Sequence, residues 1–100
     1  MSLSMNHAKR LSVEELMGYI DVVSGKAALE IQAESDKAMW DDWKHSGNKI
    51  KENEGFSVHA NPITKTITFK HSYNVKIGSF TEDEHARFLA SHVADILKTL

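Results

Sequence analysis

Six histidines in 100 residues are the side chains that most directly suggest chemistry, because imidazole binds metal ions and exchanges protons near neutral pH. His85 and His92 lie seven residues apart in a stretch with helical periodicity, which separates them by about 10.5 Å along the axis. Two direct ligands of one metal ion cannot be that far apart. His59 and His71 fall in or beside predicted strands, where we expect solvated side chains, and a site that they share with His45 stays an open alternative. We therefore expect no metal and no cofactor.

Nucleophilic catalysis would require a serine or threonine with a base and an orienting acid beside it. Ser79, Thr81, Asp83 and His85 are close in sequence. Thr81, however, is already explained as a helix cap. The chain contains no cysteine, and no nucleophile elbow, glycine-rich phosphate loop or H-E-x-x-H motif occurs. The sequence predicts a protein that is not an enzyme, and a small enzyme or a histidine metal site is the remaining alternative.

Polar side chains that alternate along the predicted strands form a candidate binding surface. Sheets that bind single-stranded nucleic acid present aromatic stacking platforms in a basic groove. Phe56 and Phe69 should face the opposite side, and a net charge of -2 provides no general attraction to nucleic acid. A nucleic-acid-associated module is therefore an alternative that we do not favour. Its candidate residues on the polar sheet face are His59, Thr66, Thr68, Lys70 and Lys76.

A pair of tryptophans occurs in the stretch KAMWDDWKHSGNK, residues 37–49. On a helix Trp40 and Trp43 would lie about 60° apart, so that they share a broad apolar face with Met39. This face either completes the core of the monomer or forms an exposed interface patch, where tryptophan is enriched. We favour a non-enzymatic regulatory or accessory module that acts through protein contacts, as a homodimer and with another protein as a further partner. Its candidate interface is Met39, Trp40 and Trp43.

The elements that position these residues begin with a helix. Ser12 and Glu15 form a capping box, which predicts a helix start near Val13. A Ser-Gly pair interrupts the helical pattern, so we predict two helices, over 13–24 and 26–45. One long kinked helix that packs against a second copy is the alternative. The apolar stripe that supports both versions is Leu16, Ile20, Val23, Ala27 and Ile31.

After a polar loop over 47–55, the apolar pattern changes from helical to alternating, which predicts strands. The Asn61-Pro62 pair predicts a turn, with a four-residue loop over 61–64. A third strand over 75–80 should complete a three-stranded antiparallel meander with one apolar and one solvated face. The predicted hairpin register pairs Ala60 with Lys65, Val58 with Ile67 and Phe56 with Phe69.

A second capping box, Thr81 with Glu84, starts a C-terminal helix that should pack across the apolar face of the sheet. The predicted fold is therefore α+β: two N-terminal helices or one long kinked helix, the meander, and this C-terminal helix. The buried stripe of the C-terminal helix is predicted to be Leu89, Val93, Ile96, Leu97 and Leu100.

We expect a single domain over residues 12–100. Residues 1–11 should form a flexible N-terminal arm, and we interpret its first few residues as a remnant of cloning. No apolar run approaches the roughly 18 residues of a membrane span. We therefore expect a soluble protein that makes no membrane contact and resides in the cytoplasm.

Overall fold

The computed structural model describes residues 3–33, 55–61, 63–72 and 80–99. Within these ranges the chain forms short N-terminal elements, two hairpins and a long C-terminal helix. In chain order the elements are β1 Leu3–Ser4, α1 Met5–Ala8, α2 Val13–Met17, β2 Asp21–Val23, β3 Lys26–Gln32, β4 Phe56–Asn61, β5 Thr66–Ser72 and α3 Glu82–Lys98.

The α+β class is confirmed, and α3 packs on the sheet as predicted. The strand order is β1–β3–β5–β4, and β2 also pairs with β3. Because β5 occupies one edge of β3, β1 and β2 share the other edge. The β1–β3 pair is parallel and the remaining pairs are antiparallel, so the sheet is mixed rather than purely antiparallel.

The predicted helices over 13–24 and 26–45 are the main error in the described part of the chain. The first helix ends at Met17, and the β2–β3 hairpin follows it. The alternative of one long kinked helix is wrong for the same reason. Positions 34–45 lie outside the described residues.

The β2–β3 hairpin forms because its sequence has strand periodicity and a suitable turn. Ala27, Leu29 and Ile31 alternate with exposed or half-buried residues and are all buried. The four-residue spacing of Ala27 and Ile31 fits a helix as well as a strand, and this ambiguity caused the error. Ser24 and Gly25 have φ values of 41° and 80°, as in the two-residue type I′ turn whose twist matches that of the flanking strands.

The predicted meander is also wrong, because β5 lies between β4 and β3. The β3–β5 ladder runs from the Lys26–Ser72 pair to the Gln32–Thr66 pair, which is the full length of both strands. A strand has two edges, so no third strand can pair with β5. Residues 75–79 of the predicted third strand lie outside the described residues, and Phe80 at its end does not belong to a strand.

The β4–β5 hairpin is confirmed, but its register differs from the prediction by two residues. Asn61 belongs to β4, and its side-chain oxygen accepts hydrogen bonds from the backbone N–H groups of Ile63 and Thr64, at 3.0 and 3.3 Å. Lys65 adopts a φ of 60°, and the loop spans 62–65. Because the shift is even, every side chain keeps its predicted face. The observed pairs include Ala60 with Ile67, Val58 with Phe69 and Phe56 with His71.

Residues 3–11 contribute to the fold instead of forming a flexible arm. Leu3 pairs in parallel with Ile31 of β3, and Leu3, Met5 and Ala8 are buried. Ser4 caps α1 by accepting a hydrogen bond from the backbone N–H of His7. The arm therefore covers one end of the outer edge of β3, because burial of these apolar side chains offsets the cost of ordering the chain.

The core lies between α3 and one face of the sheet. α3 packs against β3, β5 and β2, and also against α2. Leu89, Val93 and Leu97 of the predicted stripe are buried, whereas Ile96 is partly exposed. The buried hydrophobic cluster comprises Leu3, Met5, Ala8, Leu16, Ala27, Leu29, Ile31, Phe56, Ile67, Phe69, Leu89, Ala90, Val93 and Leu97.

A pair of charged side chains joins α2 to α3 on the surface. The predicted capping box of Ser12 and Glu15 is present at the start of α2. Arg87 donates two hydrogen bonds to the carboxylate of Glu14, at 2.5 and 2.9 Å. These bonds hold the pKa of Glu14 below its ordinary value. Both side chains are more than half exposed, so the pair orients the two helices more than it stabilises them.

None of the helices within the described residues combines the length and the apolar character that crossing a membrane would require.

Candidate functional site

The structure places four of the five predicted polar-face residues on the side of the sheet opposite α3. His59 pairs with Thr68, and Thr66 and Lys70 belong to the same alternating set on β5. Lys76 lies outside the described residues. The register therefore brings His59, Thr66, Thr68 and Lys70 together as predicted.

This polar face is shallow and carries charges of both signs. It encloses a concave volume of about 520 Å³. Glu30 pairs with Thr68 in the middle of the face, and Lys70 and Lys26 lie one and two same-face pairs further along the ladder, both toward its Ser72 end. No Phe, Tyr or Trp projects from this face among the described residues. The residues that line the concavity are Glu30, His59, Ala60, Asn61, Thr64, Thr66, Thr68 and Lys70.

The predicted interface residues Met39, Trp40 and Trp43 all lie outside the described residues. Their proposed role therefore stays a prediction from the sequence.

A second candidate surface is the outer edge of β4. β4 ends the strand order, and within the described ranges no strand pairs with its outer side. The backbone N–H of Ser72 donates to the carbonyl of Gly55 at 3.2 Å. Since bonded positions alternate along an antiparallel pair, the backbone groups of Phe56, Val58 and Ala60 point toward the outer edge.

The side chains along this edge are those of an interface more than those of a protected strand. The sequence FSVHAN contains no Lys, Arg, Asp or Glu, although exposed edges usually carry charges that discourage pairing. Val58 and Ala60 project toward the α3 side and remain partly exposed beside the core. Ile63, in the loop that follows β4, is 90% exposed. Within the described ranges, the edge thus combines backbone groups that pair with no strand and partly exposed apolar side chains.

A cluster of histidines and phenylalanines lies between β4, β5 and α3. The rings of His71 and His85 are 4.5 Å apart, and Phe88 lies 4.3 Å from His71. His92 contacts Phe56 of β4 at 4.9 Å and Phe88 at 4.4 Å, all distances being between ring centroids. The Nδ1 atom of His92 lies 2.9 Å from the Phe88 carbonyl oxygen. Within α3, His85 and Phe88 pack on His71 of β5, and His92, just past the middle of the helix, packs on Phe56 at the start of β4.

The prediction that His71 is a solvated residue beside the polar face is wrong. His71 is 3% exposed and His85 is completely buried. His71 continues the alternation of Ile67 and Phe69, and His85 precedes Leu89 by one helical turn. Both positions could have been recognised as buried from these two periodicities. Burial lowers the pKa of His85, and a hydrogen bond with the backbone of His71 partly opposes this effect.

Catalytic or metal chemistry has little support among these groups. Within residues 3–33, 55–61, 63–72 and 80–99, no three His, Asp or Glu side chains are arranged to hold a metal ion. His85 and His92 are separated along α3 as expected, and each contacts different aromatic rings. The described contacts of this cluster are ring packing between α3, β5 and the start of β4.

Comparison of the chain with models of protein families, with curated proteins and with solved structures found no match. We therefore infer the function from the residues of this chain alone.

Proposed function

We propose that this protein is a non-enzymatic interaction module that forms a homodimer by pairing the outer edges of two β4 strands. The observation that supports this most directly is the unpaired, uncharged edge Phe56–Asn61 in the described part of the sheet. Antiparallel pairing of two such edges would satisfy the outward backbone groups of both strands. A regulatory or accessory role, in the cytoplasm, fits such a module.

A two-fold axis perpendicular to the sheet would place both α3 helices on the same side of a continuous ten-stranded sheet. Such an interface is isologous, as in most homodimers. Val58 and Ala60 of each copy would then meet on the helix side, where each is partly exposed in the single chain. Burial of these side chains supplies apolar contact in addition to the backbone hydrogen bonds.

The polar sheet face supports the nucleic-acid alternative less well. Glu30 shares this face with Lys26 and Lys70 and lies diagonally next to Lys70, which lowers the local positive potential that phosphate binding requires. The aromatic side chains Phe56 and Phe69 are buried on the opposite side, so stacking on bases has no platform there. Nucleic acid that co-purifies and dissociates steeply with rising salt would revive this alternative.

The decisive test is to block the edge without disturbing the sheet. The N–H of Ala60 points outward, so Ala60→Pro removes an edge donor while keeping the bonds between β4 and β5. We expect sedimentation equilibrium to show a wild-type dimer and an Ala60→Pro variant whose dissociation constant is raised at least tenfold, roughly the loss of 1.4 kcal/mol.

The matched control is Thr68→Pro, on the inner strand β5. Thr68 pairs with both Glu30 and His59, so proline there should unfold the sheet rather than release a folded monomer. A wild type that stays monomeric at several hundred micromolar, or an Ala60→Pro variant that dimerises normally, would exclude edge pairing.

The tryptophan candidates provide a separate prediction about self-association. If Met39, Trp40 and Trp43 form an interface, Trp43→Ala should weaken association more than it lowers the free energy of unfolding. The two effects can be measured by sedimentation and by urea titration of the same variant. A large loss of stability without loss of association would assign the tryptophans to the core.

A further inference from the structure

A small cleft lies between the end of α1 and the C-terminal end of α3. It encloses about 270 Å³, close to the lower limit of about 300 Å³ for pockets that bind small molecules. α1 packs against β1 and β3, whereas β4 forms the opposite end of the strand order. The cleft is therefore separate from the proposed pairing edge. Its lining residues are Ala8, Lys9, Leu11, Ala94, Leu97 and Lys98.

The floor of this cleft is apolar and continuous with the core. Ala8 and Leu97 belong to the buried cluster, and Leu11 and Ala94 pack against that cluster while remaining partly exposed. Two of these four side chains are alanines, and a larger residue at either position would fill space between the helices. An aliphatic group bound in the cleft would therefore cover apolar surface that is now partly exposed to solvent.

Two lysines add positive charge to the cleft. Lys9 is the C-cap of α1 and Lys98 is the last residue of α3, and both are exposed. Neither side chain forms an ion pair with a described residue. Asp95, one turn before Lys98, does not line the cleft. Two like charges beside the same apolar floor favour an anionic group between them.

Other donors already occupy the helix carbonyls that such lysines commonly bind. At the end of α1, the carbonyl oxygens of residues 5–8 each accept a hydrogen bond from a backbone N–H or from the Nε of Arg10. At the end of α3, the carbonyl oxygen of Ile96 accepts from the N–H and the hydroxyl of Thr99, at 3.0 and 2.7 Å. Helix capping therefore does not account for the two ammonium groups.

We propose that this cleft binds a small amphipathic carboxylate, with its aliphatic chain on the apolar floor and its head group between Lys9 and Lys98. The cleft has room for about nine groups of roughly 30 Å³ each, which corresponds to a chain of about eight carbons. The proposal concerns the single chain and does not rest on homodimer formation.

The size and the charge of the cleft both favour this class of ligand. Its six lining residues are far fewer than the roughly 20 to 30 on each side of a stable protein–protein interface, so a small molecule fits better than a protein surface. The C-terminal end of each helix carries partial negative charge, which disfavours a doubly charged head group such as a phosphate. A monoanionic carboxylate meets both conditions.

Titration of the whole protein with sodium octanoate, followed by amide NMR, tests the proposal. We expect saturable shifts at residues 8–11 and 94–99, with a dissociation constant of about 0.1 to 1 mM for a ligand of this size. The uncharged 1-octanol should bind about fivefold more weakly, because it forms no ion pair with the lysines. Acetate, which lacks the chain, should cause no saturable shift at these residues.

Two double variants separate the cleft from the other lysines. Lys9→Gln with Lys98→Gln removes both charges from the cleft, and Lys26→Gln with Lys70→Gln makes the same change on the polar sheet face. All four positions are exposed, so both variants should fold like the wild type. We expect the first variant to raise the dissociation constant of octanoate by about fivefold to tenfold and the second to change it by less than about twofold.

A third variant fills the apolar part of the cleft. Ala94→Leu places a larger side chain on the floor, and octanoate binding should then be lost. Urea denaturation of the same variant shows whether the fold is retained. If Ala94→Leu does not fold, the two lysine variants still decide the question.

Three results would overturn the proposal. One is the absence of saturable shifts at residues 8–11 and 94–99 up to about 10 mM octanoate, an affinity too weak for a built site. Another is equal binding of octanoate and 1-octanol, and the third is an equal response of the two lysine variants. Shifts at these residues that depend on protein concentration without octanoate would instead assign the cleft to a second copy of the chain.

Discussion

The two outer edges of the sheet are treated differently by the same chain. On β3, the outer edge is covered by β1 at one end and by β2 at the other. On β4, the outer edge has no partner strand among the described residues. Two short segments thus cover the β3 edge. Covering matters because an uncovered strand can pair with other chains. The proposed homodimer uses the edge that has no partner strand among the described residues.

The side chains at the two edges reinforce this contrast. At the covered edge, Leu3 is buried, and Asp21 places a charge at the start of β2. At the open edge, the only titratable side chain is His59. Val58 and Ala60 are partly exposed there. The β3 edge is therefore covered by extra strands, whereas the β4 edge presents an uncharged strand that no described strand covers.

The largest effect should come from a change at the start of the open strand. Gly55 has a φ of 73°, and a Cβ atom there would lie 2.2 Å from the carbonyl oxygen of Ser72. Gly55→Ala must move this backbone or distort the first pair of the hairpin, so we expect the free energy of unfolding to fall by about 3 kcal/mol. Urea denaturation measures the change. A decrease in the free energy of unfolding of less than about 0.5 kcal/mol would mean that Gly55 and Ser72 are not packed as closely as described.

A smaller effect should follow from uncovering the closed edge. Leu3 is 5% exposed and lies beside Ile31 in the parallel pair. Leu3→Ala leaves a cavity there, and we expect a destabilisation of about 2 to 3 kcal/mol. The variant should also self-associate more strongly if the freed edge can pair, which sedimentation velocity would detect. If Leu3→Ala leaves the free energy of unfolding unchanged, residues 3–8 do not contribute to the stability of the fold.

The smallest effect should be a gain in stability, from a change in the turn of the β2–β3 hairpin. Ser24 has a positive φ, which asparagine tolerates better than serine in a type I′ turn. Ser24→Asn should raise the midpoint of thermal unfolding, with a gain of about 0.5 kcal/mol. Gly25→Ala is the control, because alanine at a φ of 80° should lower stability instead. If both variants behave alike, the turn does not have the assigned geometry.

The features that the sequence predicted correctly are those that depend on one segment alone. The capping residues Thr81 and Glu84 and the stripe through Leu89, Val93 and Leu97 identify α3, because a long amphipathic helix repeats its signal over several turns. The β4–β5 hairpin was recognised from its alternation on both sides of a proline-containing turn. The two faces of this hairpin were assigned correctly even though the register was not.

The features that the sequence did not predict depend on contacts between distant segments. Ala27 and Ile31 satisfy a helical and a strand period equally, and only pairing with β2 and β5 selects the strand. The Ser-Gly pair could have indicated a hairpin, since glycine with a small polar residue suits a two-residue turn. The two-residue strand β1 is too short to be predicted from its sequence. The burial of Leu3 depends on its pairing with Ile31, 28 residues further along the chain.

The candidate site divides in the same way. His59, Thr66, Thr68 and Lys70 share one face because strand alternation is local. The burial of His71 and His85 was not predicted. Their imidazole chemistry suggested function, whereas their positions in the apolar pattern indicated the core. A histidine that occupies an apolar position of a strand or helix should be treated as a core candidate first.

The central position of β5 also has a consequence for how fast the chain can fold. Its hairpin with β4 closes through a short loop, whereas its ladder with β3 first requires Gln32 to meet Thr66 across 33 intervening residues. Loop closure of that length carries an entropic cost before any contact rewards it. Refolding should therefore proceed in roughly milliseconds to seconds, as for other topologies dominated by non-local pairing. During that interval both edges of the β4–β5 hairpin are available for pairing, including the outer edge of β4, which has no partner strand among the described residues.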